Sequence, residues 1–353
     1  MRKYFFYELK KNLFLLLGLT LSLLLLYFIV LITGVDSTYG VSAMLAITSG
    51  VSGAIAILVP ILQFSYKMKK RSVDLYYSLP ITHTKILIVK FLTGLLIIFI
   101  PYTICYFFGA AVITIKNIEN IYAGYFFPHF FSTVIPLCFM YAISAFAFTR
   151  ANNTLDGIIF IVMYAFAAVM VFLAIDRLTD YSSGSYLKSV IILKPYYIWS
   201  PLNDATEYFQ DLIGGTSPKD YYDDYANCEF GTLNEILGYT IFSLMGIGSA
   251  VGTILFERKA KAENCQQVSQ SIFGYKVLIP LYTVCALTLS VVASDGIVYV
   301  LLAAEILASF FMTVLYKRSL KIDKFTLIVL AASIVLGIFL GIIAEFATII
   351  IAQ

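Results

Sequence analysis

Residues 67–85, KMKKRSVDLYYSLPITHTK, form a polar and strongly charged stretch between two long apolar runs. The runs cover residues 41–65 and 86–115, and each is longer than the roughly 20 apolar residues with which a helix crosses the hydrocarbon core of a bilayer. The stretch between them is too polar to enter lipid. We therefore expect the chain to leave the membrane here and then to re-enter it, as a polytopic helical membrane protein does.

The composition of the chain agrees with this class. Of 353 residues, 60% are hydrophobic and 13% are charged, whereas about 25% of the residues in a soluble domain are charged. No basic tail or run predicts binding to nucleic acid. The five cysteines are scattered, and neither a CxxC pair nor a His/Cys cluster predicts a metal site or a disulfide framework.

The apolar windows of the chain predict an all-α fold with about nine transmembrane helices. They cover residues 13–33, 41–65, 86–115, 128–149, 155–175, 234–256, 276–293, 296–316 and 325–351. The first window is too long and too rich in leucine for a signal peptide, so we expect it to remain as a membrane anchor.

Basic residues near the ends of the windows predict the orientation, because cytoplasmic loops carry the excess of lysine and arginine. When the N-terminus is placed in the cytoplasm, most of the 24 basic residues fall on the cytoplasmic side. The predicted topology is therefore N-in and C-out.

The largest polar segment, residues 176–233, is acidic and aromatic and is expected to be extracellular. Within it, PLNDATEYFQDLI at residues 201–213 is compatible with an amphipathic helix. The segment is interpreted either as a structured loop on the membrane surface or as a gate or platform for an extracellular ligand.

The sequence contains none of the motifs searched for as signs of catalysis. It has no G-x-x-x-x-G-K-[ST] phosphate-binding loop, no H-E-x-x-H and no G-x-S-x-G. Its two histidines, His83 and His129, are expected near opposite surfaces of the membrane. The chain is therefore predicted to be non-catalytic and to hold neither a metal nor a cofactor of its own.

Two acids lie inside apolar windows, where ionisable residues are costly and often functional. Glu305 is near the middle of the eighth window, and Glu345 is in the outer half of the ninth. Glu305 is a candidate for a proton or cation relay; alternatively, it is protonated or hydrogen-bonded to a hydroxyl of a neighbouring helix. Glu345 is expected to reach the outer interface.

The charged stretch itself predicts a short helix. Its apolar residues are Val73, Leu75, Tyr76, Leu79 and Ile81. Pro80 disfavours helical geometry at the residue before it, so a helix of about eight residues should end near Leu79. Such an element is either an interfacial anchor or a docking surface for a cytoplasmic partner, and a flexible cationic flank suits both.

The segment RSVDLYYSLPITHTKILIVKFLTGLL, residues 71–96, resembles a signature of permease subunits in bacterial ATP-binding-cassette (ABC) transporters of the type-2 exporter class. The matching positions are Arg71, Asp74, Tyr76, Ser78, Leu79, Pro80, Lys85 and Gly94, with Ile100 and Pro101 following. The family commonly has arginine where this chain has His83.

The resemblance implies a coupling helix within residues 67–85 that seats in a groove of a cytoplasmic ATPase subunit. The residues implied to couple to the ATPase are Arg71, Asp74, Leu75, Tyr76, Leu79 and Pro80. A looser similarity in FERKAKAENCQQ, residues 256–267, implies a partner contact at Arg258 and Lys259. The N-terminal MRKYFFYELKKNLF is similar to the interfacial connecting helix of the class, or is an ordinary basic flank.

These observations predict a permease subunit with a type-2 exporter-like transmembrane domain at residues 1–260 and additional transmembrane helices at residues 261–353. The class has a core of six spans, so the last three predicted spans of this chain are additional to that core. The expected partners are cytoplasmic ABC ATPase subunits that carry ATP and Mg²⁺, a second permease copy or paralogue, and membrane lipids. The expected location is a bacterial plasma membrane, and the expected cargo an antimicrobial peptide, a drug or a lipid.

Two other classes of function stay open. One is a secondary, ion-coupled transporter, which would need functional membrane acids such as Glu305 and inverted repeats. The other is an enzyme that modifies lipids or envelope precursors, for which the sequence shows no catalytic set. Within the resembled family, a role in peptide sensing and self-protection is a third possibility.

Overall fold

A computed structural model describes residues 2–34, 38–116, 123–180, 228–257, 263, 265–269, 271–291, 298–319 and 322–351. Every regular element among these residues is helical. The α-helices are α1 (Arg2–Lys11), α2 (Leu13–Gly34), α3 (Thr38–Phe64), α4 (Lys70–Tyr77), α5 (His83–Lys116), α6 (Phe126–Thr149), α7 (Thr154–Asp180), α8 (Cys228–Glu257), α9 (Tyr275–Val291), α10 (Val298–Lys317) and α11 (Lys324–Ile351). Short 3₁₀ turns at Ser65–Met68 and Ala123–Tyr125 precede α4 and α6.

Each predicted apolar window lies largely within one of these helices. By length and composition, seven described helices can cross a membrane, and the pair formed by α1 and α2, bent by 50°, would make an eighth. Helix α9 has only 17 residues. The prediction of an all-helical, multi-pass membrane protein is confirmed, while the count of nine spans and the N-in orientation stay predictions.

The first of two compact units comprises Met1–Thr149 and Ile198–Cys265. Its described helices are α1 to α6 and α8. Helix α6 packs against α3 and α8, and α5 packs against α2 and α3. Large aromatic side chains, among them Tyr102, Tyr141 and Phe148, are fully buried in this unit.

One close approach in the first unit requires a glycine. A Cβ atom at Gly94 on α5 would overlap the hydroxyl group of Tyr141 on α6. The Tyr141 hydroxyl donates a hydrogen bond to the carbonyl oxygen of Phe91, one turn earlier on α5, at 3.1 Å. The missing side chain at Gly94 therefore lets a buried tyrosine satisfy its polar atom across the helix pair.

The second unit comprises Arg150–Tyr197 and Gln266–Gln353. In it α9 packs against α7, α10 and α11, and α7 also contacts α11. The sequence places α7 within the predicted 1–260 domain, but in the structure it packs with α9 and α11 of the C-terminal helices. The functional division at residue 260 stays a prediction.

Several sequence predictions lie outside the described residues. They are most of the predicted extracellular segment, its amphipathic helix at residues 201–213, and the possible partner contacts Arg258 and Lys259. Glu345 lies on α11, but its side chain is outside the described set.

The predicted short helix is confirmed as α4, which has eight residues. It ends at Tyr77, two residues before the expected end, and the N–H of Ser78 closes it by donating to the carbonyl oxygen of Asp74 at 3.1 Å. Helix α5 then begins at His83. The N–H of Ile81 donates a hydrogen bond to the carbonyl oxygen of Leu79 at 2.7 Å, so the link between the two helices contains a tight turn at Pro80.

Candidate functional site

The connection between α3 and α5 is fixed to the membrane helices by buried side chains. Val73 on α4 is 3% exposed, and Tyr66 and Met68 of the preceding 3₁₀ turn are also buried. The ring of Tyr66 lies 4.7 Å from the ring of Tyr76, measured between centroids. One face of α4 is therefore buried, and these contacts fix the position of α4.

A buried lysine lies at the centre of this packing. The Nζ atom of Lys90 on α5 lies 3.2 Å from Oε1 of Glu8 on α1, and the two side chains are only 5% and 1% exposed. The same Nζ atom lies 4.8 Å from the ring centroids of both Tyr66 and Tyr76. Lys90 thus has a carboxylate and two aromatic faces as partners, which compensates the cost of burying its charge.

The N-terminal helix completes the cluster. The hydroxyl group of Tyr4 donates to Oε1 of Glu8 at 2.9 Å, and Nζ of Lys11 donates to the hydroxyl oxygen of Tyr76 at 3.0 Å. We call Tyr4, Glu8, Lys11, Tyr66, Tyr76 and Lys90 the anchor cluster. It joins α1, the 3₁₀ turn, α4 and α5 through charged and aromatic contacts.

A second buried ion pair holds the beginning of the connection. Nζ of Lys67 pairs with Oε2 of Glu257, the last residue of α8, and the two side chains are 10% and 1% exposed. Cys265 lies close enough to α4 to respond to its charges. Burial raises the pKa of the Cys265 thiol, Lys70 acts to lower this pKa, and Asp74 acts to raise it.

The opposite face of α4 and the turn that follows it are exposed, and we call them together the exposed face of α4. Leu75 is 66% exposed and Leu79 is 36% exposed. Arg71, Asp74 and Pro80 are also exposed. Of the six residues predicted to couple to an ATPase, these five share the accessible surface, whereas Tyr76 is half-buried and belongs to the anchor cluster.

Sequence reasoning did not identify Glu8, Lys90 or Glu257 as members of the site. The available signal was the position of Lys90 inside an apolar window and of Glu8 in an otherwise basic N-terminal segment. A charge in either place needs a partner once it is buried. The identity of that partner depends on contacts across about eighty residues of sequence, since Glu8 and Lys90 are on different helices.

The candidate membrane acid Glu305 has a hydroxyl partner. The Oγ atom of Ser290 on α9 donates to Oε1 of Glu305 on α10 at 2.6 Å. This is the arrangement that the sequence offered as the alternative to a relay. Glu305 also lines a cavity of about 280 Å³ with Met163, Tyr282 and Met312.

The two histidines lie in different environments. His129 on α6 is buried, with Nδ1 2.9 Å from the hydroxyl oxygen of Tyr106. His83 is exposed at the start of α5. Among the described residues no group of three or more His, Cys, Asp or Glu side chains is arranged to hold a metal ion.

Comparisons with protein-family models, with curated proteins and with solved structures find no match for this chain. What the described residues define is a class: a multi-pass helical membrane protein. Its connection between α3 and α5 carries an anchored helix with one exposed face.

Proposed function

We propose that the chain is the membrane-spanning permease subunit of an ATP-driven exporter of the type-2 ABC class. In this proposal a separate cytoplasmic ATPase subunit binds ATP and Mg²⁺ and hydrolyses the nucleotide. The permease receives the resulting movement through α4 and translocates the substrate. The resemblance of residues 71–96 to the permease signature motivates the assignment.

The observation that carries the proposal is that α4 has one buried face, which is held by the anchor cluster, and one exposed face. A coupling element must be accessible to its partner, and it must also be attached firmly enough to transmit a displacement. The exposed Leu75 and Leu79 meet the first requirement. The anchor cluster and the pair between Lys67 and Glu257 meet the second, because they connect α4 and its flanking turn to α1 and to the long helices α5 and α8.

The chemistry of the exposed face suits a protein groove. Leu75, Leu79 and Pro80 supply apolar contact area, and Arg71 and Asp74 supply charges of opposite sign beside it. Protein interfaces combine an apolar centre with a polar rim in this way. A lipid-facing anchor would be served by the apolar and cationic residues alone, so the exposed Asp74 favours a protein partner.

The remaining parts of the proposal rest on the charge pattern of the sequence and on its resemblance to the permease class. The excess of basic residues near α4 orients it towards the cytoplasm. We propose a bacterial plasma membrane as the location and a homodimer or heterodimer with a second permease as the assembly. An antimicrobial peptide, a drug or a lipid is the proposed cargo.

The decisive experiment is purification of the tagged full-length chain from its native membrane, followed by identification of bound proteins and assay of ATP hydrolysis. We expect an ABC-type ATPase to copurify and to hydrolyse ATP. Substrate transport by the chain alone in proteoliposomes, driven by a proton gradient without an ATPase, would refute the proposal and support an ion-coupled transporter. Modification of a lipid by the chain alone would support an enzyme instead.

A further inference from the structure

A cavity of about 420 Å³ lies among α9, α10 and α11 in the second unit. Its size falls within the range of about 300–1,000 Å³ that is usual for ligand pockets. The lining residues come from the beginning of α9, the end of α10 and the beginning of α11, so the cavity lies at one end of this three-helix group. Nothing in the proposed function uses it.

The rim of the cavity is basic. Lys276 is the second residue of α9, and Lys317 is the last residue of α10; both line the cavity. Lys324, the first residue of α11, and Arg318 are exposed beside them. Four cations are thus gathered where the three helices begin or end.

Two acids offset part of this charge. Asp323 pairs with Lys317, and Asp156 on α7 lies 3.6 Å from Arg318, measured from Oδ2 to Nη2. Asp156 is also fixed by the hydroxyl group of Tyr275, which donates to its Oδ1 at 3.1 Å. Among the described residues, Lys276 and Lys324 form no ion pair, so the rim keeps a net positive charge.

Below the rim the cavity is apolar. Its inner walls are formed by Ile279, Pro280, Val329 and Leu330. Tyr275 and Tyr316, with ring centroids 4.8 Å apart, also line the cavity, close in sequence to the rim residues Lys276 and Lys317. Apolar walls with tyrosines and cations near the helix ends are the combination of residues that a phospholipid meets between the acyl region and the headgroup region of a bilayer.

We propose that the cavity is a binding site for one anionic phospholipid, with an acyl chain against the apolar walls and the headgroup at Lys276 and Lys317. Basic pockets between transmembrane helices are suited to anionic headgroups. A zwitterionic lipid also has a phosphate, but its own ammonium group opposes the basic rim. The site is independent of the exporter assignment, because it uses residues of the second unit that have no part in α4.

The test is native mass spectrometry of the full-length protein, purified with added phosphatidylglycerol or phosphatidylcholine. We expect one phosphatidylglycerol to be retained in clear preference to phosphatidylcholine. Lys276→Gln should weaken phosphatidylglycerol binding about fivefold, the effect of removing one basic residue near an anionic membrane surface. Lys85→Gln, which removes an exposed cation near the start of α5, is the matched control and should leave binding unchanged.

Asp323→Asn provides a test in the opposite direction. It removes the carboxylate paired with Lys317 and should strengthen phosphatidylglycerol binding, a result that a misfolded variant cannot give. Val329→Trp should fill the cavity and abolish the bound lipid. Equal retention of the two phospholipids, unchanged binding in Val329→Trp, or equal weakening by Lys85→Gln would each overturn the assignment.

Discussion

Nζ of Lys90 and Oε1 of Glu8 are 3.2 Å apart, and both side chains are almost completely buried. The pair joins the N-terminal helix α1 to α5, and the two rings that flank Lys90 extend the connection to α4. A displacement of α4 would therefore move the rings that contact Lys90. Because Lys90 is buried, it could not exchange these partners for water. In the proposed exporter, α1, α4 and the start of α5 would therefore move together.

Removal of either partner of this buried pair should destabilise the protein strongly. Lys90→Met leaves the Glu8 carboxylate buried without its cation, and the expected loss in the free energy of unfolding is about 3–5 kcal/mol. The double variant Glu8→Leu/Lys90→Met should lose less than Lys90→Met alone, because no unpaired charge remains. Denaturant unfolding of the detergent-solubilised protein measures both.

Lys85→Met is the control for this experiment, since it removes an exposed lysine from the same helix. It should change the free energy of unfolding by less than about 0.5 kcal/mol. Additive losses in the double variant would show that Glu8 and Lys90 do not depend on each other.

The exposed face of α4 should determine binding of the ATPase. We expect Asp74→Lys combined with Leu79→Asp to insert normally into the membrane but to lose transport and copurification of the ATPase. The reason is that one change reverses a charge and the other places a carboxylate in the apolar part of the contact. Pull-down and transport assays on the same membranes measure the two effects.

Asp323→Lys reverses the charge of another exposed aspartate, in the second unit, and should retain the ATPase. If the Asp74→Lys/Leu79→Asp variant copurifies the ATPase and transports substrate normally, α4 is not the coupling element.

Tyr76 should act by holding α4 rather than by touching the partner. Tyr76→Phe loses the hydrogen bond from Lys11 but keeps the ring beside Lys90, so we expect a cost of about 0.5–1.5 kcal/mol. Tyr76→Ala loses both contacts and should increase amide hydrogen exchange throughout residues 67–85. Equal exchange in the two variants would contradict a role for the ring.

The contact between Gly94 and Tyr141 gives a prediction about packing in the first unit. Gly94→Ala should destabilise the protein by about 1–3 kcal/mol, because its methyl group would displace the Tyr141 hydroxyl from the carbonyl of Phe91. Gly18→Ala on α2 is the matched control: its Cβ would meet no atom within 4 Å. Thermal unfolding should separate the two variants, and equal melting temperatures would contradict the close approach of α5 and α6.

Glu305 should be dispensable for ATP-driven transport. Glu305→Gln keeps an oxygen that can accept the hydrogen bond from Ser290, so both folding and transport are expected to be preserved. Loss of transport in this variant, with normal expression and normal copurification of the ATPase, would instead indicate a proton or cation relay. The same assays applied to Ser290→Ala would show whether the hydrogen bond itself matters.

The sequence predicted most of the helices because hydropathy is local. Helix α5 follows from the apolar residues 86–115, and the end of α4 follows to within two residues from Pro80. The exposed positions of Arg71 and Asp74 also agree with their polarity. The anchor cluster was not predictable in the same way, because a lone Lys90 in an apolar window indicates a need for a partner without naming it.

The amino-acid sequence alone therefore determined the class of protein, the position of its long helices and the presence of a short helix after α3. These features depend on the free energy of transferring nearby side chains between water and lipid. Only the tertiary structure decided that Lys90 pairs with Glu8, that Lys67 pairs with Glu257 and that α7 packs with the C-terminal helices. Those outcomes depend on packing and charge compensation between residues far apart in the chain, which no local pattern records.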